Sequence, residues 1–142
     1  MKTANYDNTD YLKKILNATV YDVARVTPLD EAADLSRRLG ARFLLKREDL
    51  QPIHAYKIRG AYNKMSQLPR AALDKGVICA SAGNHAQGVA LSARKLGCKA
   101  TIVMPVTTPE IKINAVKSYG ASIVLHGDSY SDTYEELERQ IA

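Results

Sequence analysis

Gly76-Val-Ile-Cys-Ala-Ser-Ala-Gly-Asn-His-Ala-Gln-Gly-Val-Ala-Leu-Ser-Ala-Arg-Lys-Leu-Gly97 opens with an apolar run, breaks into small and polar residues, and resumes with apolar positions one helical turn apart. Residues 77–80 read as a strand; Ala86, Val89, Ala90, Ala93 and Leu96 read as one face of a helix that Gly97 stops. The pattern then repeats. Ala100-Thr-Ile-Val-Met104 is a second strand, Thr108-Pro109-Glu110 offers an N-cap, a first-turn proline and an early acid to a helix reaching Tyr119, and Ala121-Ser-Ile-Val-Leu125 is a third strand. Strand, helix, strand, helix, strand requires crossovers, so residues 76–125 are expected to form an α/β unit with a parallel sheet and flanking helices. A sharp turn over residues 81–84, at the C-terminal end of the first strand, is where such sheets bind ligands.

Toward the N-terminus the rhythm weakens. Residues 11–23 read as a short amphipathic helix with Leu12, Ile15 and Leu16 on one side, and residues 29–39 as a second helix with Leu35 and Leu39 one turn apart and Gly40 as its stop. Residues 42–46 read as a short strand, 47–54 as turns, and 61–68 as a helix. Toward the C-terminus, Tyr130, Tyr134, Leu137 and Ile141 form a helical stripe that reaches the last residue without Gly, Asn or Pro to end it, which suggests a chain cut short.

The composition of these 142 residues, 46% hydrophobic and 25% charged, is that of a globular protein able to bury a core. The net charge of +5 does not make it a nucleic-acid binder, because the basic residues are scattered among acids with few aromatics between them. Cys79 and Cys98 form no C-x-x-C pair and have no His at metal spacing, so no metal is expected and a reducing compartment fits. No stretch is apolar enough to span a bilayer, and the N-terminus has no apolar signal core. The cytoplasm is the default location, or an organelle if a transit peptide has been removed.

Two segments carry chemistry. Lys57 lies in Ala55-Tyr-Lys-Ile-Arg-Gly60, where it fits either a solvated surface charge or an activated amine. Activation requires a pKa lowered from about 10.4, and apolar cover from Tyr56 and Ile58 beside the like charge of Arg59 acts in that direction. Ser81-Ala-Gly-Asn-His-Ala-Gln-Gly88 sits between a strand and a helix, so its small residues and first-turn N–H groups suit an anion. Asn84 fits a helix N-cap as well as a ligand-binding amide, and His85 fits a structural role as well as a general base.

Taken in order with Lys46-Arg-Glu-Asp-Leu-Gln-Pro52, these segments resemble the fold-type II pyridoxal-phosphate (PLP) enzymes, whose fold is of the tryptophan synthase β type. Within that group the resemblance is to the threonine dehydratases (threonine ammonia-lyases) of isoleucine biosynthesis. It runs from about Tyr11 to Leu137 and includes Thr19-Val-Tyr-Asp-Val23 and Val103-Met-Pro-Val-Thr-Thr-Pro-Glu110.

The resemblance implies that Lys57 carries PLP covalently and acts as the catalytic base, that Tyr56 packs beside the cofactor, and that Asn84 hydrogen-bonds its 3′ oxygen. It implies that Ser81, Ala82, Gly83, Asn84 and His85 grip the substrate carboxylate, and that threonine is converted to 2-oxobutanoate and ammonia. The position before Tyr56 is more often Ser in this branch, and Ala55 has no hydroxyl to offer the phosphate side. Residues 1–57 would begin the larger PLP-binding domain and 58–142 would make most of the smaller α/β domain. The family's glycine-rich phosphate loop and its regulatory domain have no counterpart here, so the isolated chain is expected to be an inactive fragment of an enzyme that is a homo-oligomer when complete. Two alternatives stand beside this reading. One is a serine racemase, which would need a serine where this chain has Ala82; the other is a non-catalytic module of a PLP-enzyme relative.

Overall fold

The computed structural model describes residues 8–142, with side chains from position 10. Helix α1 (Asn8–Leu16) is followed by a 3-10 turn (Val20–Asp22), so the helix expected over 11–23 stops earlier than its apolar spacing suggests. Strand β1 (Leu29–Glu31) pairs antiparallel with β2 (Leu44–Lys46), with Leu29 opposite Lys46, and α2 (Ala33–Leu39) lies between them. The expected helix over 29–39 is therefore wrong in its first turn. Leu29 to Glu31 are drawn into a ladder by antiparallel partners beyond α2, Lys46, Leu45 and Leu44, and tertiary pairing overrides local periodicity. Gly40 ends α2 in the left-handed conformation, as its position predicts.

A second 3-10 turn (Glu48–Leu50) leads to α3 (Lys57–Ser66), which begins four residues before the expected helix. A short helix absent from the sequence reading, α4 (Arg70–Lys75), follows; only its Leu73 is buried, too little to show as a stripe. Then comes the expected unit: β3 (Val77–Ala80), α5 (Asn84–Leu96), β4 (Ala100–Met104), α6 (Glu110–Lys117), β5 (Ser122–Leu125) and α7 (Tyr130–Ile141). The three strands are parallel in the order β3-β4-β5, with Val77 opposite Ala100 and Thr101 opposite Ser122.

Central strand β4 buries Ile102, Val103 and Met104 completely, which requires cover on both faces. Ala100, Ile102 and Met104 share a core with Ala86, Val89, Ala90 and Ala93 of α5, while α7 also packs against β3 and β4. Two caps differ from expectation. Thr108 does not cap α6: the N-cap is Pro109, and the Thr108 hydroxyl is buried without a partner among the described residues. Helix α7 instead has an unforeseen capping box, in which Ser129 accepts from the Asp132 N–H and Asp132 accepts from the Ser129 N–H. No helix among the described residues is long and apolar enough to cross a membrane.

Candidate active site

Lys57 is the first residue of α3 and follows Tyr56, the N-cap. The segment leading to it is pinned by alternate residues, with Ile53, Ala55 and Ile58 buried and Tyr56 and Lys57 exposed. Between them His54 takes the left-handed conformation at φ 54°, uncommon for a residue with a side chain, and its Nδ1 lies 3.1 Å from the Asp49 carbonyl. Among the described residues the Lys57 amine has no ion pair and no hydrogen bond.

The loop after β3 turns at Ser81, whose N–H donates to the Val103 carbonyl at 3.0 Å. The N-cap of α5 is Gly83, so Asn84 occupies the first helical position and is not the cap. Its amide is left exposed. The first helical hydrogen bond runs from the Gln87 N–H to the Gly83 carbonyl, and the N–H groups of Asn84, His85 and Ala86 have no backbone acceptor among the described residues. A Cβ built on Gly83 would meet nothing within 4 Å, so the space above this turn is open. The Ser81 hydroxyl accepts only a long 3.4 Å bond from the Gly83 N–H, leaving its own proton free to donate.

Gly88 brings these two helix starts together. A Cβ there would lie 3.3 Å from the Ala61 Cβ, 3.4 Å from the Lys57 carbonyl oxygen and 3.5 Å from the Ile53 Cδ1. Only glycine lets α3 and α5 approach this closely without displacement. The electrostatics report the same proximity. The His85 pKa is lowered, first by burial of its ring and then by the positive charge of Lys57. The Lys57 charge acts in the same direction as burial, which is the larger cause.

The structure thus packs the Lys57 backbone against Gly88, in the helix that follows the turn of Ser81, Ala82, Gly83, Asn84 and His85, and it leaves Tyr56 on the surface at 63% exposure. The sequence reading missed three features here: the packing role of Gly88, the conformation of His54, and the carboxylate of Glu48 that binds Arg59. A cavity of about 600 Å³ between Tyr11, Ile15, Tyr21, Arg59 and Gly60 lies along α1 and is lined by neither Lys57 nor the Ser81 turn. Its cations are already engaged, Lys14 by Asp10 and Arg59 by Glu48, so cavity size is a poorer guide than the unpaired amine and the unpaired N–H groups.

Residues 20–142 match the model of a family described as pyridoxal-phosphate dependent enzymes. The chain belongs to that family. It is 62% identical over 130 residues to threonine dehydratase 1 biosynthetic, chloroplastic, of Solanum lycopersicum, covering 92% of this chain and 22% of that protein. It is 65% identical over 121 residues to threonine dehydratase biosynthetic, chloroplastic, of Arabidopsis thaliana, covering 85% of this chain and 20% of the relative. Among solved structures, the processed form of threonine deaminase isoform 2 from Solanum lycopersicum superposes with a TM-score of 0.86 at 53% identity, over 92% of this chain and 39% of that one. The chain therefore spans about a fifth of the length of these curated relatives. The fold is the incomplete α/β unit of a fold-type II PLP enzyme.

Proposed function

We propose that this chain is the N-terminal part of a threonine ammonia-lyase that converts L-threonine to 2-oxobutanoate and ammonia, with Lys57 as the residue that carries PLP. The observation that supports it most is the packing of the Lys57 backbone against Gly88, in the second turn of α5, with a Lys57 amine that has no partner among the described residues. The residues present fit the cofactor. A primary amine without a carboxylate partner can form a covalent bond to an aldehyde, and the exposed Asn84 amide can donate to a ring oxygen beside it.

When bound, PLP supplies an electron-poor ring that stabilises negative charge developing at the substrate α-carbon. The protein supplies the rest. The N–H groups of Asn84, His85 and Ala86, aided by the Ser81 hydroxyl and the positive end of the α5 dipole, hold the substrate carboxylate. That grip presents the α-proton to the Lys57 amine, which removes it as a base. Water leaves from the β-carbon and is added back at the α-carbon, so threonine yields one 2-oxobutanoate and one ammonia. His85, kept neutral by burial and by Lys57, lines the grip without adding a competing positive charge. Ala82 has no hydroxyl to return a proton on the opposite face, which favours elimination over racemisation. Residues up to 57 are assigned to the larger domain and residues 58–142 to the smaller; of the former, residues 1–7 lie outside the described residues.

In the protein that carries this sequence, PLP and L-threonine should yield 2-oxobutanoate, and Lys57→Ala should abolish it together with the visible absorbance of lysine-bound PLP. Lys57→Arg should fail equally, because a guanidinium stays protonated. Full turnover by Lys57→Ala would overturn the assignment.

A further inference from the structure

The most heavily hydrogen-bonded carboxylate among the described residues is not in the substrate grip. It belongs to Glu48, nine positions before Lys57. Its two oxygens accept from Arg59 Nε at 2.8 Å and from an Arg59 terminal nitrogen at 2.9 Å, in a two-pronged pair. The Thr27 hydroxyl donates at 2.7 Å, and the buried Gln51 amide at 3.2 and 3.3 Å. Gln51 is itself clamped, accepting from the Arg25 N–H and donating to the Arg25 carbonyl, both at 2.8 Å. Arg59 donates to the same carbonyl at 3.0 Å and lies over the Tyr21 ring. Bidentate pairing fixes orientation as well as distance, and this pair is mostly screened from water, at 26% and 17% side-chain exposure.

Arg59 stands two residues beyond Lys57 in the same first turn of α3. The Glu48–Arg59 pair therefore closes residues 49–58 into a loop whose two ends are held together. Inside it Ile53 and Ile58 anchor the backbone to the core, and His54 accepts its left-handed conformation. A two-pronged guanidinium ties that first turn to Glu48 in orientation as well as in distance.

We infer that Glu48 and Arg59 are positioning residues for Lys57, a staple that sets the direction in which its amine leaves the first turn of α3. The inference rests on the reading of Lys57 as the cofactor-bearing lysine. It predicts that loosening the staple lowers the reactivity of Lys57 toward PLP while the rest of the fold stands.

The test is reductive trapping. The protein is mixed briefly with limiting PLP, quenched with sodium borohydride, and mapped by peptide mass, with exposed Lys112 on α6 as the internal reference. In the unaltered protein Lys57 should be labelled in preference to Lys112. Arg59→Lys keeps the charge but loses the fork, and Glu48→Gln keeps the shape but loses the charge. Each should lower the Lys57-to-Lys112 ratio by about tenfold or more, since an ångström of misplacement costs about a hundredfold in reacting geometry. A merely structural clip would shift the urea midpoint and leave that ratio alone. Should Glu48→Gln fail to fold, Arg59→Lys carries the test. An unchanged ratio in a folded variant overturns the staple and leaves the Lys57 reading standing. No preference for Lys57 in the unaltered protein overturns both.

Discussion

Replacing Gly88 by Val tests the contact that holds Lys57 against the start of α5. The distances set the size of the effect. Even one methyl would sit 3.3 Å from the Ala61 Cβ, a few tenths of an ångström too close, and 3.4 Å from the Lys57 carbonyl oxygen, in ordinary contact. The Ala61 methyl has no rotamer to escape into, so the two helices must give by a few tenths of an ångström. For Gly88→Ala the gain of about 1 kcal/mol in helix propensity offsets that strain, and stability should change by less than about 1 kcal/mol. Valine adds two further methyl groups at a helix–helix contact and gains less propensity, so overpacking of about 1–3 kcal/mol dominates. For a chain of this size that loss corresponds to a melting temperature lower by roughly 3–10 °C. Far-UV circular dichroism during urea and thermal unfolding reads the stability, and proton NMR titration of His85 reads the displacement. A Gly88→Val protein as stable as the original, with His85 titrating unchanged, would refute the claim that this glycine sets the spacing of the two helix starts.

Three further outcomes follow from the same residues. Lys57→Met should raise the His85 pKa by removing the nearby positive charge, yet leave it below the ordinary histidine value because burial, the larger cause, remains; an unmoved titration would place the two side chains apart. Glu48 is held down to about 2, chiefly by Arg59, so its contribution is fully present above its unfolded-state value near 4.5 and is lost as pH falls from there to about 2. That amounts to up to about 3 kcal/mol, and urea midpoints measured across this window should fall in the original protein but much less in Glu48→Gln. Thr108→Val should be neutral or stabilising by up to about 1 kcal/mol, because it replaces a buried hydroxyl that has no partner among the described residues; a clear loss of stability in chemical denaturation would reveal a bond that the structure does not show.

The unit from β3 to β5 was legible because short apolar runs alternate with stretches whose apolar residues recur at one-turn spacing, with Gly76, Gly97 and Gly120 marking breaks between them. The strand boundaries at Val77, Ala80, Ala100 and Met104 agree to the residue. Residues 29–31 were illegible for a physical reason: a strand of three residues carries too little alternation to announce itself, and its partner lies beyond an intervening helix. Within the candidate site, residue type alone left Lys57 and the Ser81 turn open to structural readings, and only their order and spacing with residues 46–52, which resemble a known family, singled them out. The Asn84 side chain could not be placed, since a cap and a first-turn residue differ by one position, and the cap fell to Gly83. The Glu48–Arg59 pair left no periodic trace, because its partners are eleven positions apart across a turn. Gly88 looked like part of a loop motif, whereas its smallness serves a helix–helix contact.

Because the three strands are parallel, α5, α6 and α7 all begin at the C-terminal edge of the sheet; α6 and α7 have Glu110 and Asp132 in their first turns, whereas α5 has no acid there to offset the positive end of its dipole. On a chain of net charge +5 this edge acts as a collector for anions from a distance, over about a Debye length at physiological salt. Such a field sorts incoming molecules by net charge. Under the proposed function, a phosphate ester carrying nearly two negative charges would be drawn to this edge, whereas a zwitterionic amino acid, neutral overall, would feel it only on arrival. Rising ionic strength should therefore slow the capture of cofactor and leave the encounter with substrate nearly untouched.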